Sequence, residues 1–293
     1  MFVLIGLAII AISIMGGFMM EGGKPAALMQ VTEFIIIGGS GLGSMLIANP
    51  LPAVMGTLKS VIGLMKGNPF TKERHMELLK MLYDIFMMAR REGLVSLDQH
   101  VEKPSESAFF QKYPGFTSNH HAMAFLSDTM KIIISGAVTN YDLAEMMEID
   151  LEASHDELHH SSHICASLGD SMPAFGIVAA VLGVVITMGA IGGEASEIGH
   201  KVGAALVGTF LGILLAYGVF APLAKALETQ AKAEESYLGS IKNALLSFSR
   251  GDAPITAVEF ARRNIDPGVR PSFSEMESGC KNPSASGDMA KAA

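Results

Sequence analysis

Three histidines, His155, His159 and His163, recur at i, i+4 and i+8, with His160 beside them. Two imidazoles one helical turn apart can hold a divalent metal. Here no carboxylate or cysteine pattern completes a ligand set, and the two cysteines, Cys165 and Cys280, are far apart. That spacing fits neither a metal site nor a disulfide framework. The stripe reads as a polar, partly titrating helix face, and no metal is assigned.

A second kind of chemistry is marked by scarcity. Two apolar stretches, Gly169 to Gly189 and Val202 to Pro222, carry no ionisable residue between Ser171 and Gly193 or between Val202 and Ala224. Their polar groups are Thr187, Thr209 and Tyr217, with Asp170 at one edge. A proton or cation path normally needs an acid at depth. If these stretches line such a path, the acid comes from another polypeptide. Glu33, in an earlier apolar run, is a functional candidate by default, or a wet structural group if it lies at the interface. Asp170 could serve as a helix N-cap or as a proton relay. Pro173 and Pro222 each remove a helical hydrogen bond. Singly they read as a first-turn proline and a terminator; paired at one level they would form a hinge. No nucleophile motif, phosphate loop or dinucleotide fingerprint appears, so no enzyme and no cofactor are expected.

Helices must position these groups. Each stretch has about the 20 residues that cross a bilayer core. Small residues recur every four positions, as Gly176, Ala180, Gly183 and Thr187 nearly do on the first and Ala204, Gly208, Gly212 and Ala216 do on the second. Such ridges let helices approach closely, either within one subunit or as the wall of a conduction path. Phe2 to Met20 is apolar throughout and lacks a basic start and a cleavage site, so it reads as an uncleaved first crossing. Ala27 to Ala48, rich in glycine, reads as a second. From Leu51 to Leu168 the character is soluble, with helices over Thr71 to Arg91, Asn119 to Ser135 and Asn140 to His160, and shorter pieces around Pro104 and Pro114. Leu223 to Arg263 is helical with a break at Gly251 to Pro254. The last dozen or so residues read as disordered.

The expected fold is an all-α polytopic membrane protein with four transmembrane helices and a large helical cytoplasmic domain between the second and third. The divisions are 1–49 (crossings one and two), 50–168 (cytoplasmic helical domain), 169–222 (crossings three and four), 223–266 (cytoplasmic helical segment) and 267–293 (tail). Lys59, Lys66, Lys72 and Arg74 follow the second crossing and Lys225 and Lys232 the fourth. By the positive-inside rule the large domain and both termini are cytoplasmic, and the gaps at 21–26 and 192–201 face outward. Composition agrees. Of 293 residues, 49% are hydrophobic and only 17% charged, against roughly 25% in a soluble domain. A net charge of −8 gives no support for nucleic-acid binding.

The run from Gly169 to Ala180 (Gly-Asp-Ser-Met-Pro-Ala-Phe-Gly-Ile-Val-Ala-Ala) and the run from Val207 to Gly218 resemble the signature segments of the MotA family of flagellar-motor stator subunits. The likeness extends to the glycine-rich second helix, Arg90 and its neighbours, Ile133 to Gly136, Ala257 to Arg263 and Arg270 to Phe273. It implies a ring, expected to be pentameric, around a dimer of MotB, whose membrane helix supplies the proton-binding Asp. It also implies residence in the bacterial inner membrane, contact with lipid, and torque on the rotor protein FliG. The rotor-facing charges carried over are Arg90 and Asp98, the latter where the family more often has the longer Glu. Pro173 and Pro222 match its functional prolines, and Thr209 its ion-path threonine. Ala180 stands where sodium-driven relatives carry threonine. Sodium needs oxygen ligands and a methyl offers none, so the transported ion is expected to be H+. The His stripe has no counterpart in the resemblance. Other readings remain open: a three-crossing ExbB- or TolQ-like energiser, a self-contained channel or metal transporter using the His stripe, and a membrane scaffold without flux.

Overall fold

The computed structural model describes residues 2–189, 192 and 194–281. In chain order they form α1 (Phe2–Met20), a 3-10 turn (Pro25–Leu28), α2 (Val31–Ala48), α3 (Leu51–Leu64) and α4 (Lys72–Glu92). Then come α5 (Asp98–Glu102), α6 (Pro114–Thr117), α7 (His120–Ser135) and α8 (Asn140–Met188). The chain continues through α9 (Ala195–Ile213), a π-helical segment (Leu214–Phe220), α10 (Ala221–Ser249), α11 (Pro254–Asn264) and α12 (Phe273–Lys281). There is no strand among the described residues. Four helical stretches are long and apolar enough to cross a membrane: Phe2–Met20, Pro25–Ala48 and parts of Asn140–Met188 and Ala195–Ser249. This is the expected fold class.

The chain divides into two compact units, one comprising residues up to Gly67 with His159–Gln230, the other Asn68–Leu158 with the residues from Ala231 onward. In the first, α1 is apolar on every side and leaves Phe2, Ile9, Ile12 and Met20 exposed. A helix without a polar face is suited to lipid rather than water. α2 packs on α9, and its buried residues Glu33, Ile37 and Gly41 form one stripe at i, i+4 and i+8. Two small cores hold the unit. One contains Ile37, Met172, Ala179, Leu211 and Ala216. The other contains Leu64, Cys165, Leu223, Ala224 and Leu227. α3 was not anticipated as a separate helix. Pro50 opens it, and Leu51, Met55, Leu58 and Ile62 line an exposed apolar face.

The second unit has the larger core. α4 buries Leu78, Leu79, Leu82, Ile85 and Phe86 against residues of α7, α10 and α11. Each such side chain contributes roughly 1.5–3 kcal/mol on leaving water. Its buried face is wide. Met76, Tyr83 and Met87 are only half-buried, while Met81 and Lys80 are buried. α11, α12 and α6 all pack on this helix, so more than one side is covered. Thr71 caps it by accepting the Arg74 N–H at 3.4 Å, and Gly93 ends it with φ 90°. α7 starts where Asn119 Oδ1 accepts the Ala122 N–H at 3.0 Å. It stops at Gly136, whose φ of 62° suits a residue without Cβ.

Two expectations need correction. The helices expected over Asn140 to His160 and from Gly169 are one continuous α8 of 49 residues. Pro222 does not terminate a helix, because α10 runs on to Ser249. The tail is helical over Phe273–Lys281. There Ser272 Oγ accepts the Glu275 N–H at 3.2 Å, and Glu275 returns the contact to the Ser272 N–H at 2.7 Å, a capping box. The disorder expected for the last dozen residues and part of the outer turn, at 190, 191 and 193, lie outside the described residues.

Candidate functional site

The seam between α8 and α9 is made of glycine and alanine. A Cβ on Gly176 would lie 2.8 Å from the Gly208 carbonyl oxygen and 3.1 Å from Gly212 Cα. One on Gly212 would lie 2.6 Å from the Met172 carbonyl oxygen, and one on Gly183 2.7 Å from Ala205 Cβ. The two backbones touch, as small-residue helix pairs in membranes do. The stripe keeps most of the expected ridge, with Ala205 in place of Ala204 and Ala179 in place of Ala180. α9 buries Ala205, Gly208 and Gly212 and the π-helical segment buries Ala216, while α8 turns Gly176, Ala179 and Gly183 to the seam. Ala180 and Ala204 are half-buried. A strict spacing of four drifts by about 40° per step on a 3.6-residue helix, so the seam mixes steps of three and four.

The predicted polar groups differ in setting. Thr187 is buried, and its hydroxyl donates to the Gly183 carbonyl at 2.7 Å. Thr209 is half-buried and follows Gly208 directly. Tyr217 is 70% exposed, on the outside of the unit in the π-helical segment. Asp170 is exposed in the interior of α8. Its N-cap reading is therefore corrected: the helix begins thirty residues earlier, at Asn140.

Pro173 is likewise no first-turn proline but sits inside α8. With no N–H to give, it leaves the carbonyl of Gly169 without its helical donor. A Cβ on Gly169 would lie 2.9 Å from Phe220 Cβ, so this glycine packs where the π-helical segment ends and Pro222 follows. Cys165 Sγ, one turn earlier, lies 3.6 Å from the Phe220 carbonyl. The antiparallel course brings both prolines within about 10 Å of one level along the helices.

Glu33 is the acid that the sequence left between two readings. It is only 5% exposed. Its Oε2 reaches the seam: a Cβ on Gly208 would meet it at 2.6 Å, beside Ala179 Cβ at 3.1 Å and the Ala180 backbone N at 3.3 Å. That oxygen is buried without a hydrogen-bond partner among the described residues. Its position near the start of the second crossing hid this depth. The available signal was its phase, since Glu33 shares a face with Ile37 and the close-approach residue Gly41.

In the second unit, Arg90 is exposed in the last turn of α4 and Asp98 is exposed at the start of α5. Arg90 lines an open depression of about 430 Å³ with Leu94, Ile133, Phe248 and Asp252. Of the His stripe, His155 pairs with the Glu235 carboxylate. In the first unit the rings of His159 and His163 lie 6.3 Å apart.

These observations define a polytopic α-helical membrane protein whose third and fourth spans are locked together, with one acid at their seam. Residues 4–93 match the family model described as motility protein A N-terminal, and residues 117–239 match that of the MotA/TolQ/ExbB proton channel family. Together with 39% identity to motility protein A of Escherichia coli over 94% of both chains, this establishes that the chain belongs to the motility protein A family. Chemotaxis protein LafT of Vibrio parahaemolyticus is 33% identical over 93% of this chain and 96% of its own. The fold also matches the solved structure of C. jejuni MotAB, with a TM-score of 0.74 at 21% identity, covering 92% of this chain and 98% of that one. For the flagellar MotAB stator complex of Bacillus subtilis the TM-score is 0.70 at 24% identity, covering 87% and 92%. These relatives are motility proteins and proton-channel family members, not enzymes.

Proposed function

We propose that this chain is the ring-forming subunit of a flagellar stator in the bacterial inner membrane, coupling H+ flow to torque on the rotor protein FliG. The observation that carries this reading is the near full-length likeness to motility protein A of Escherichia coli. The geometry supports it. The α8–α9 seam has no ionisable residue of its own among the described residues, with Asp170 exposed to one side of it, so the principal acid is donated by a MotB-like partner, around a dimer of which five copies of this chain close. Arg90 and Asp98, both exposed, face the rotor. Both termini are cytoplasmic. Ala180 presents a methyl where a sodium ion would need oxygen, so the coupling ion is the proton. Each charge crossing ~100 mV releases about 2.3 kcal/mol, enough to bias a two-state assembly more than tenfold. The ExbB- or TolQ-like reading is disfavoured by the four candidate spans, since those relatives are expected to have three.

The decisive measurement is proton flux into sealed vesicles carrying the purified chain, with and without a MotB-like subunit. Flux that needs the partner, and swimming abolished by a protonophore, support the reading. Full flux from this chain alone, or motility that follows external sodium and ignores the protonophore, overturns it.

A further inference from the structure

We infer that Glu33 is a proton-binding group contributed by this chain, a second carboxyl on the path that takes protons from the outer side before the partner's acid receives them. The inference rests on the stator reading above. It starts from three observations. Glu33 is 95% buried, taking its 5% exposure. Its Oε2 has no hydrogen-bond partner among the described residues. That oxygen lies against Gly208, where α2 meets α8 and α9, next to the half-buried Thr209 and Ala180.

Chemistry follows from these surroundings. An ionised carboxylate without a partner in an apolar, membrane-embedded setting is costly, and such a group takes up a proton instead. Among the described residues no basic side chain pairs with it, and the partial charge of the first turn of α2, in which it lies, is its nearest favourable field. α8 offers no ionisable residue from Ser171 to Gly189, and α2 offers none besides Glu33. On α9 the ionisable groups are Glu197, His200 and Lys201, and Lys201 Nζ is already held at 2.9 Å by Glu197. Lys201 lies seven residues before Gly208 in sequence, about 10 Å along the helix. The turn at Pro25–Leu28 carries no charge of its own and is flanked by Lys24. Glu33 therefore rests as the neutral acid. Glycine at 208 is what admits it, because any Cβ there would collide with the carboxyl oxygen.

A transfer balances simply. The O–H bond at Glu33 breaks and an O–H bond forms on the ionised carboxylate of the partner. The Glu33 carboxylate then takes a proton from hydronium on the outer side, from which α2 enters the bilayer. No oxidant or reductant is involved. Glu33 acts here as a relay, and the partner's acid remains the group whose occupancy drives the ring.

The test uses the full complex in vesicles, comparing wild type with Glu33→Gln and Glu33→Asp. Glutamine keeps the size and cannot exchange a proton. Glu33→Gln is expected to lower proton flux by about tenfold or more, the lower end of what a positioned proton-transfer group supplies. It should also remove one titration step from the dependence of flux on outer pH. Glu33→Asp, which keeps the acid, should retain that step. The infrared carbonyl stretch of a protonated carboxylic acid should be present at neutral pH in the purified wild-type chain and be reduced in Glu33→Gln. Equal flux and an unchanged pH profile in Glu33→Gln would overturn the inference, as would an ionised Glu33 in the infrared spectrum. If the wild-type complex itself passes no protons, it is the stator reading that fails, and the infrared result still decides the protonation of Glu33.

Discussion

His75 shows how one buried side chain makes the second unit sensitive to pH. Its Nδ1 donates to the Thr71 carbonyl at 2.9 Å, its Nε2 is buried without a partner, and its ring meets Tyr237 edge-on at 5.5 Å. Burial pulls its pKa below the ordinary 6.5, because the charged imidazolium loses water. The neutral form is thus the folded form. As pH falls below about 6.5 the unfolded chain takes up a proton that the folded chain resists, so stability falls with it. Melting curves between about pH 7 and pH 5 should show this loss, and His75→Phe should flatten it. An unchanged slope in the variant would mean that another group is responsible. Cys280, in contact with the same core, is held as the thiol by burial, its pKa pushed up to about 12. At this scale the sequence was informative about chemical type and poor about setting. Thr187 and Thr209 were legible as the rare polar groups of their helices. That one spends its hydroxyl on its own backbone, and that Glu33 reaches the seam, are facts of rotation about a helix axis.

At the scale of elements, the α8–α9 seam makes a sharp distinction among glycines. At Gly176 and Gly212 an added Cβ would meet backbone atoms, which cannot swing aside. At Gly203, on the same helix as Gly212, it would meet nothing within 4 Å. Gly176→Ala and Gly212→Ala should each cost about 1–3 kcal/mol of packing and abolish swimming, while Gly203→Ala should be tolerated. Membrane yield and swimming speed of the three variants provide the comparison, and a motile Gly212→Ala would show that the seam can open. The spans were legible because a run of about 20 apolar residues has few alternatives. The continuity of α8 was not, because Gly169 and Pro173 are the usual signs of a break. Here Gly169 is a packing residue against Phe220, and the proline is carried within the helix. Helix ends are more legible: Gly93 and Gly136 close the helices that the sequence predicts over Thr71 to Arg91 and Asn119 to Ser135. α3 and α12 escaped notice because each is short and bounded by prolines that read as loop.

For the molecule as a whole, the number of crossings decides which side each functional group faces. With four candidate spans and the lysines and arginines gathered after the second and fourth, the proposed arrangement has 21–26 on the outer side. In cells, a cysteine at Gly22 or Glu197 should react with a membrane-impermeant thiol reagent added outside, and one at Arg90 or Arg250 should not until the membrane is opened. The native Cys165 and Cys280 are both buried and should stay silent. Labelling of Arg90→Cys from outside would invert the arrangement. The seam has one more implication. Where two backbones are keyed together with no side chain between them, a twist applied to one is felt by the other without lost motion. The pair therefore behaves as a single stiff spar, and if the proposed stator turns, what slides must slide elsewhere, along the longer side chains such as Ile177, Val181, Leu206 and Ile213 that the spar leaves uncovered.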